Sequence, residues 1–161
     1  MATLHTTLRA LCSVLYSVST YDHWLHECRR SNTVEKVNDT EGAIRIVYST
    51  GVGDRDVILG YKIKSGGNNI LMELVSKPEL SPEEKGLVRV KRASGHWRLT
   101  PKQEGTVEVE YQFHMDPEPP WFIPRWLVNS YVPETPYCTL IKLRKEVDKT
   151  EHRSASVDCV R

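Results

Sequence analysis

The sequence predicts an α+β fold in which a curved antiparallel sheet is closed by a long C-terminal helix. Its clearest strand is residues 106–115, where apolar side chains alternate with polar ones and so define one buried face and one wet face. Its clearest helix lies within residues 119–147, where Phe122, Trp126 and Ser130 recur at helical spacing in an aromatic-rich segment. Strands grouped before one long helix are typical of an antiparallel sheet with its helices on one face.

The remaining elements follow from changes in the spacing of the apolar residues. Leucines at helical spacing predict a helix over residues 4–16, and residues 21–25 add a short helical turn. From residue 31 the spacing becomes an alternation, which is interrupted by turn signals at residues 38–42 and 66–69. The expected strands, about six or seven in number, lie at residues 33–37, 43–49, 56–64, 70–75, 87–92, 96–100 and 106–115.

The chain is expected to form a single domain at residues 1–148, followed by a polar, disordered tail at residues 149–161. It has 161 residues, a net charge of +1 and 27% charged residues. A chain so close to neutral has no bulk electrostatic attraction for nucleic acid, so no nucleic-acid partner is expected. No apolar run reaches the roughly 18 residues that span a bilayer.

The pattern of cysteines predicts a cytoplasmic protein. The 4 cysteines are scattered without C-x-x-C spacing, which favours free thiols in a reducing compartment. The apolar stretch at residues 8–18 is interrupted by Arg9 and has no clear cleavage site, so it is interpreted as a helix and not as a secretory signal. A periplasmic location is the alternative if an N-terminal segment is missing from the sequence.

The chain carries six short segments in a defined order: YDHW at 21–24, GDRD at 53–56, SPEEKGLVRV at 81–90, GHWRLTP at 95–101, WLVNSY at 126–131 and PYCTLIKLR at 136–144. Taken in this order, they resemble the START family of lipid-transfer domains, and the resemblance is strongest for bacterial START-like proteins. It covers roughly residues 8–147 and implies the helix-grip fold of the Bet v 1-like (SRPBCC) superfamily. In that fold a curved sheet wraps a long C-terminal helix around a ligand tunnel. The resemblance also implies that the loop at residues 76–85 acts with this helix as a gate.

Two departures from the family pattern bear on the fold and the ligand. Family members usually have a strand before the first helix that caps the sheet, whereas this sequence starts almost inside that helix. Either residues 2–4 supply the strand or the sheet lacks an edge strand, and a missing strand would favour a homodimer through the unpaired edge. Sterol-binding members carry an arginine at the position of Tyr61, which weakens a sterol assignment.

The resemblance implies that the chain binds a lipid-class ligand in the tunnel and passes it between membranes, without a cofactor and without catalysis. A local basic patch at residues 85–92 could support transient contact with an anionic membrane surface. By itself, the spacing of the aromatic residues in the C-terminal helix favours side chains that simply fill the core. The resemblance instead implies that these side chains line the tunnel. The predicted ligand-binding residues are Tyr48, Leu59, Tyr61, Met72, Trp97, Tyr111, Phe113, Phe122, Trp126, Leu127 and Tyr131.

An enzyme of the polyketide cyclase or aromatase type is the alternative, because related helix-grip domains use the same tunnel for that chemistry. Such an enzyme needs an inward-pointing acid or base, and side chains that face solvent would exclude it. No metal site is predicted. His23 and His26 have i,i+3 spacing with Cys28 close by, but a third ligand and a defined geometry are not visible, and ordinary surface polarity explains these residues equally well. The candidate acid–base residues are Tyr48, Tyr111, Glu73 and Arg45.

Overall fold

The computed structural model describes residues 1–50, 53–103, 105–116, 124 and 134–149. Within them the strands form an eight-stranded sheet in the order β1-β8-β7-β5-β4-β3-β2, with β6 paired in parallel to β4. All the other strand pairs are antiparallel, so the α+β prediction is confirmed. The strands are β1 (Ala2–His5), β2 (Cys28–Lys36), β3 (Glu41–Thr50), β4 (Gly53–Gly66), β5 (Asn69–Ser76), β6 (Val88–Arg89), β7 (Ala93–Pro101) and β8 (Thr106–Met115).

The first strand is present, so the alternative in which residues 2–4 supply it is the correct one. It pairs with β8 in a register that places Leu4 opposite Val107. Leu4 is buried in the core, which gives this short strand an apolar anchor. The sheet therefore does not lack this edge strand, and the reason given for a homodimer through an unpaired edge no longer applies. Dimerisation itself stays a prediction.

Three α-helices lie within the described ranges: α1 (Leu8–Tyr16), α2 (Tyr21–Trp24) and α3 (Glu134–Val147). Helix α1 begins after Thr7, whose hydroxyl accepts a hydrogen bond from the backbone N–H of Ala10 at 3.2 Å. This contact satisfies one of the free amide groups at the start of the helix. Helix α2 is a single turn, and it places Tyr21 and Trp24 on the core side of the sheet.

Helix α3 lies where the second half of the long C-terminal helix was predicted, so this half of the prediction is confirmed. It contributes Leu140, Leu143 and Val147 to the core. Pro136 stands in its first turn, where a missing N–H costs little, so this proline marks the start of the helix and does not interrupt it. The aromatic first half of the predicted segment lies outside the described residues.

Alternation along the strands gives the sheet an inner and an outer face. The strand register brings Met72, Trp97 and Tyr111 side by side on the inner face, together with the cross-strand pair of Ile44 and Leu59. All five are buried in one continuous core with α1, α2 and α3. The outer face carries the intervening residues, and much of it is charged. The space between the inner face and the helices is therefore the first candidate for a functional site.

Cys12 differs from the expectation of four free thiols. It is fully buried in the core and disulfide-bonded, whereas Cys28 and Cys138 are free. The expectation of a reducing compartment rested on free thiols, and the disulfide at Cys12 removes part of that evidence. Separately, none of the helices in the described ranges is both long and apolar enough to cross a membrane.

Candidate functional site

A small cavity lies between the inner face of the sheet and helix α2. Its free volume is only about 10 Å³, which is room for about one water molecule. No lining side chain carries a formal charge at neutral pH, and half of the lining residues are aromatic. They are Tyr21, Trp24, Leu25, Ile44, Ile46, Tyr48, Leu59, Met72, Leu74, Trp97, Tyr111 and Phe113.

The aromatic side chains of the cavity contact one another in a ladder. The rings of Trp97 and Tyr111 stack with their centroids 3.9 Å apart. Trp24 meets Trp97 edge-on at 5.8 Å, and Phe113 continues the stack beyond Tyr111 at 6.4 Å. Such ring pairs add a specific attraction to the gain from burial. The ladder therefore gives the cavity one rigid wall.

Gly95 makes room for the end of this ladder. It pairs with Phe113 across β7 and β8. A Cβ atom at this position would lie 2.3 Å from the backbone oxygen of Gln112 and 3.0 Å from Phe113. Because a backbone oxygen cannot be moved cheaply, only glycine fits there.

The tyrosine hydroxyls near the cavity remain protonated at neutral pH. Burial raises the pKa of Tyr48 well above its ordinary value, and the neighbouring Tyr111 raises it further. Burial also raises the pKa of Tyr111. The hydroxyl of Tyr21 already donates a hydrogen bond to the carbonyl oxygen of Leu15. Tyr48 and Tyr111 are thus neutral hydrogen-bond donors in an apolar setting.

One donor at the cavity has no acceptor within the part of the chain that the structure describes. The side chain of Trp24 is 1% exposed, and its Nε1–H group has no hydrogen-bond partner among the described residues. The buried Arg55 lies near the same region, opposite Tyr48 in the strand register, but it is not a lining residue. Its Nη1 donates to the carbonyl oxygen of Gly53 at 3.0 Å.

A buried ion network fixes the outer face of β4. The carboxylate of Asp56 accepts hydrogen bonds from Arg45 at 2.7 and 2.9 Å and from Arg89 at 2.8 and 3.1 Å. Burial raises the pKa of Asp56, but the hydrogen bonds and charges of the two arginines outweigh it, and the pKa ends below its ordinary value. Arg45 also contacts Glu84 at 3.1 Å.

The same network holds the loop after β5. Arg89 donates to the carbonyl oxygens of Pro78, Ser81 and Pro82 at 2.6, 2.7 and 2.8 Å. Arg89 is buried, so it is not part of the surface basic patch that the sequence suggested. The loop that the resemblance implies as a gate is therefore tied to the sheet by a fully engaged guanidinium group.

A wide groove of about 820 Å³ lies against the outer face. Tyr61 lines this groove and not the interior cavity. His96 contacts Glu110 there at 3.1 Å, and this hydrogen bond lowers the pKa of Glu110. In the described ranges, no group of three His, Cys, Asp or Glu side chains is arranged to hold a metal ion.

Comparisons with known proteins bear on the family and the fold of the chain. No family model matches the chain. The crystal structure of the STAR-related lipid transfer protein (fragment 25-204) from Xanthomonas axonopodis is 30% identical, with a TM-score of 0.82, and the match covers 92% of this chain and 83% of that one. The chain belongs to the START family. The helix-grip fold that the sequence predicted is thereby confirmed.

Two further comparisons place this START chain among its relatives. It is 36% identical over 132 residues to an uncharacterized protein of Pseudomonas aeruginosa, a match of 78% of this chain that spans 62% of the relative's length. The Zhui aromatase/cyclase from Streptomyces has a TM-score of 0.68 and covers 96% of this chain and 93% of that one. At 12% identity this second likeness shows the fold alone.

The START domain brings six of the predicted ligand-binding residues to the interior cavity: Tyr48, Leu59, Met72, Trp97, Tyr111 and Phe113. Four others, Phe122, Trp126, Leu127 and Tyr131, lie outside the described residues. Sequence reasoning missed Ile44 and Ile46, which the alternation in residues 43–49 would have identified. It also missed Tyr21 and Trp24, because nothing in a single helical turn indicates which element it faces.

The acid–base candidates of the enzyme hypothesis fall into two groups in this START chain. Tyr48 and Tyr111 line the interior cavity. Glu73 lies on the outer face, where it pairs with Lys64, and Arg45 pairs with Asp56. Only the two tyrosines are therefore placed to act on a molecule in the interior.

Proposed function

We propose that this START chain binds one hydrophobic molecule of the lipid class in the interior cavity at the inner face of the sheet, and passes it between membranes. The observation that carries the proposal is the uncharged, half-aromatic lining of the cavity. Removing apolar surface from water supplies about 25 cal/mol per Å². The name of the Xanthomonas relative, a lipid transfer protein, supports the same conclusion.

Uptake requires the cavity to widen, because its walls enclose only about 10 Å³. The C-terminal helix is the proposed gate, and its opening is a shift between two populated conformations and not a chemical step. The proposed carrier is a single domain at residues 1–148, followed by a polar tail at residues 149–161. It makes transient contact with a membrane surface.

The first experiment is native mass spectrometry of the purified protein, followed by organic extraction of whatever is bound. A retained lipid of defined mass is the expected result. A protein that is empty, and that also fails to take up fluorescent fatty acids and sterols, would refute the carrier proposal.

Two adjacent residues of β5 provide a matched pair of variants. Leu74 is buried and lines the cavity, whereas the neighbouring Val75 points to the outer face and is 54% exposed. Leu74→Phe adds volume inside and should reduce uptake several-fold, since a close-packed interior has no spare room. Val75→Phe should leave uptake unchanged. Equal uptake by the two variants, both checked for folding by circular dichroism, would contradict the interior site.

A cyclase or aromatase is the second candidate, favoured by the inward position of Tyr48 and Tyr111. Their raised pKa values make them poor bases but suit them to donate a hydrogen bond to a carbonyl oxygen. The test is incubation with a poly-β-ketone thioester, followed by product analysis. Cyclised product that disappears in Tyr111→Phe would support the enzyme, and unchanged starting material would support the carrier.

A further inference from the structure

The indole N–H group of Trp24 is a buried donor that lacks an acceptor within the described part of the chain. Such groups are rare in folded proteins, since an unpaired buried donor loses its hydrogen bonds to water without replacing them. Trp24 is also one of the lining residues of the cavity. The donor without an acceptor therefore lies at the cavity that we propose to widen around a ligand.

The rings around Trp24 offer a competing account of this donor. Trp24 meets Tyr21 edge-on at 5.0 Å and Trp97 edge-on at 5.8 Å. An N–H group directed at an aromatic face gains a weak attraction, which is smaller than a hydrogen bond to oxygen. A ligand oxygen would therefore compete successfully with either ring for the Trp24 proton.

We infer that Trp24 orients the bound molecule: its indole N–H donates a hydrogen bond to an uncharged oxygen, that of a ketone, ester or hydroxyl group, on an apolar ligand. This inference rests on the proposed lipid binding and adds a specificity residue to it. The oxygen is uncharged because the lining residues include no cationic side chain, and an ion without a counter-charge is costly to bury. Tyr48 and Tyr111 also line the cavity, but their hydroxyls hydrogen-bond each other, so only one of the two keeps a proton for a ligand.

The test compares two probes of the same shape, fluorene and its ketone 9-fluorenone. Their dissociation constants are measured by tryptophan fluorescence quenching in the wild-type protein and in Trp24→Phe, which keeps a ring but removes the N–H. We expect fluorenone to bind the wild-type protein roughly threefold to tenfold more tightly than fluorene. In Trp24→Phe the two constants should become equal.

His23→Ala is the matched control. His23 lies in the same helical turn, but its side chain is 56% exposed and is not among those that line the cavity. The preference for fluorenone should survive in this variant. A preference lost equally in both variants would mean that it depends on packing in α2, and the inference would be wrong.

Nuclear magnetic resonance gives a direct readout of the same bond. The 4 tryptophans of the chain give separate indole ¹H–¹⁵N signals, and the signal missing in Trp24→Phe identifies Trp24. Fluorenone should move this proton downfield, as a new hydrogen bond does, and fluorene should not. An unmoved signal in a saturated complex would overturn the inference in favour of the ring contacts.

The remaining outcomes separate this inference from the proposed function. Equal binding of the two probes by the wild-type protein would overturn the role of Trp24 and leave lipid binding intact. Tighter binding of fluorene-9-carboxylate would instead indicate an anionic group held near Arg55. Failure of both probes to bind would also overturn the inference, and the extraction and uptake experiments would then decide separately whether lipid binding fails too.

Discussion

Replacing Asp56 with asparagine tests whether the ion network stabilises the outer face. The Asp56 side chain is 1% exposed and the Arg89 side chain 4% exposed. Asparagine keeps the size of the side chain but removes the charge and turns one acceptor into a donor that faces a guanidinium group. Arg89 is then left without its buried counter-charge, and Arg45 keeps only the partly exposed Glu84. Removing one member of a buried pair typically costs about 3–5 kcal/mol.

The free energy of unfolding is measured by urea denaturation at pH 7 for the wild-type protein and the variant. Asp54→Asn is the control, because Asp54 stands two residues away and pairs with Arg29, whose side chain is 61% exposed. An exposed pair of this kind contributes about 0–1 kcal/mol. A loss in Asp56→Asn no larger than that in Asp54→Asn would refute the argument that this network is a buried, stabilising one.

The pH dependence provides a second check, with a definite sign. The pKa of Asp56 is lowered in the folded protein from its ordinary value of 3.8. The stabilisation from this carboxylate is therefore fully present above about pH 4 and is lost as the pH falls through the folded pKa. The wild-type protein should lose stability more steeply than Asp56→Asn in that acid window. Parallel curves would contradict the assignment of the shift to Asp56.

Three further variants or measurements test other parts of the structure. Gly95→Ala should destabilise the fold by about 1–3 kcal/mol, because the new Cβ meets the backbone oxygen of Gln112 at 2.3 Å; a neutral change in melting temperature would contradict this. Tyr21→Phe should cost about 1–3 kcal/mol by removing the donor to Leu15, and unchanged urea denaturation would count against that bond. Burial raises the pKa of Cys28 to about 11. At pH 8 only about one thiol in a thousand is then ionised, so alkylation of Cys28 by iodoacetamide should be slow. Labelling of Cys28 at the rate of a free peptide thiol would refute this prediction.

The fold was predictable where one face of a strand is buried and the other is wet. In β8, Tyr111 is buried and Gln112 is exposed, and such alternation is visible in the sequence without any partner strand. Strand β1 carries only Leu4 as a buried anchor over four residues, too little for a periodic signal. These residues form a strand because they pair with the edge of β8, and the local sequence alone does not report that pairing.

The site was predictable to the extent that it follows from alternation. Trp97 and Tyr111 were placed in the interior because they share a face with other apolar residues. Tyr61 shares that face and packs against the core, but it lies farther along β4 and lines the wide groove instead of the interior cavity. The pairs of Asp56 with Arg45 and Arg89 join residues 11 and 33 positions apart, and no periodicity reports contacts of that kind.

The arrangement of polar contacts bears on which wall of the cavity can open. Arg89 makes five hydrogen bonds that tie residues 78–82 and Asp56 together. At roughly 0.5–1.5 kcal/mol each, releasing this loop would cost several kcal/mol and leave the released state populated at about 1% or less. Opening at the C-terminal helix leaves all of these bonds intact. The outer face therefore stabilises the sheet and holds this loop in place.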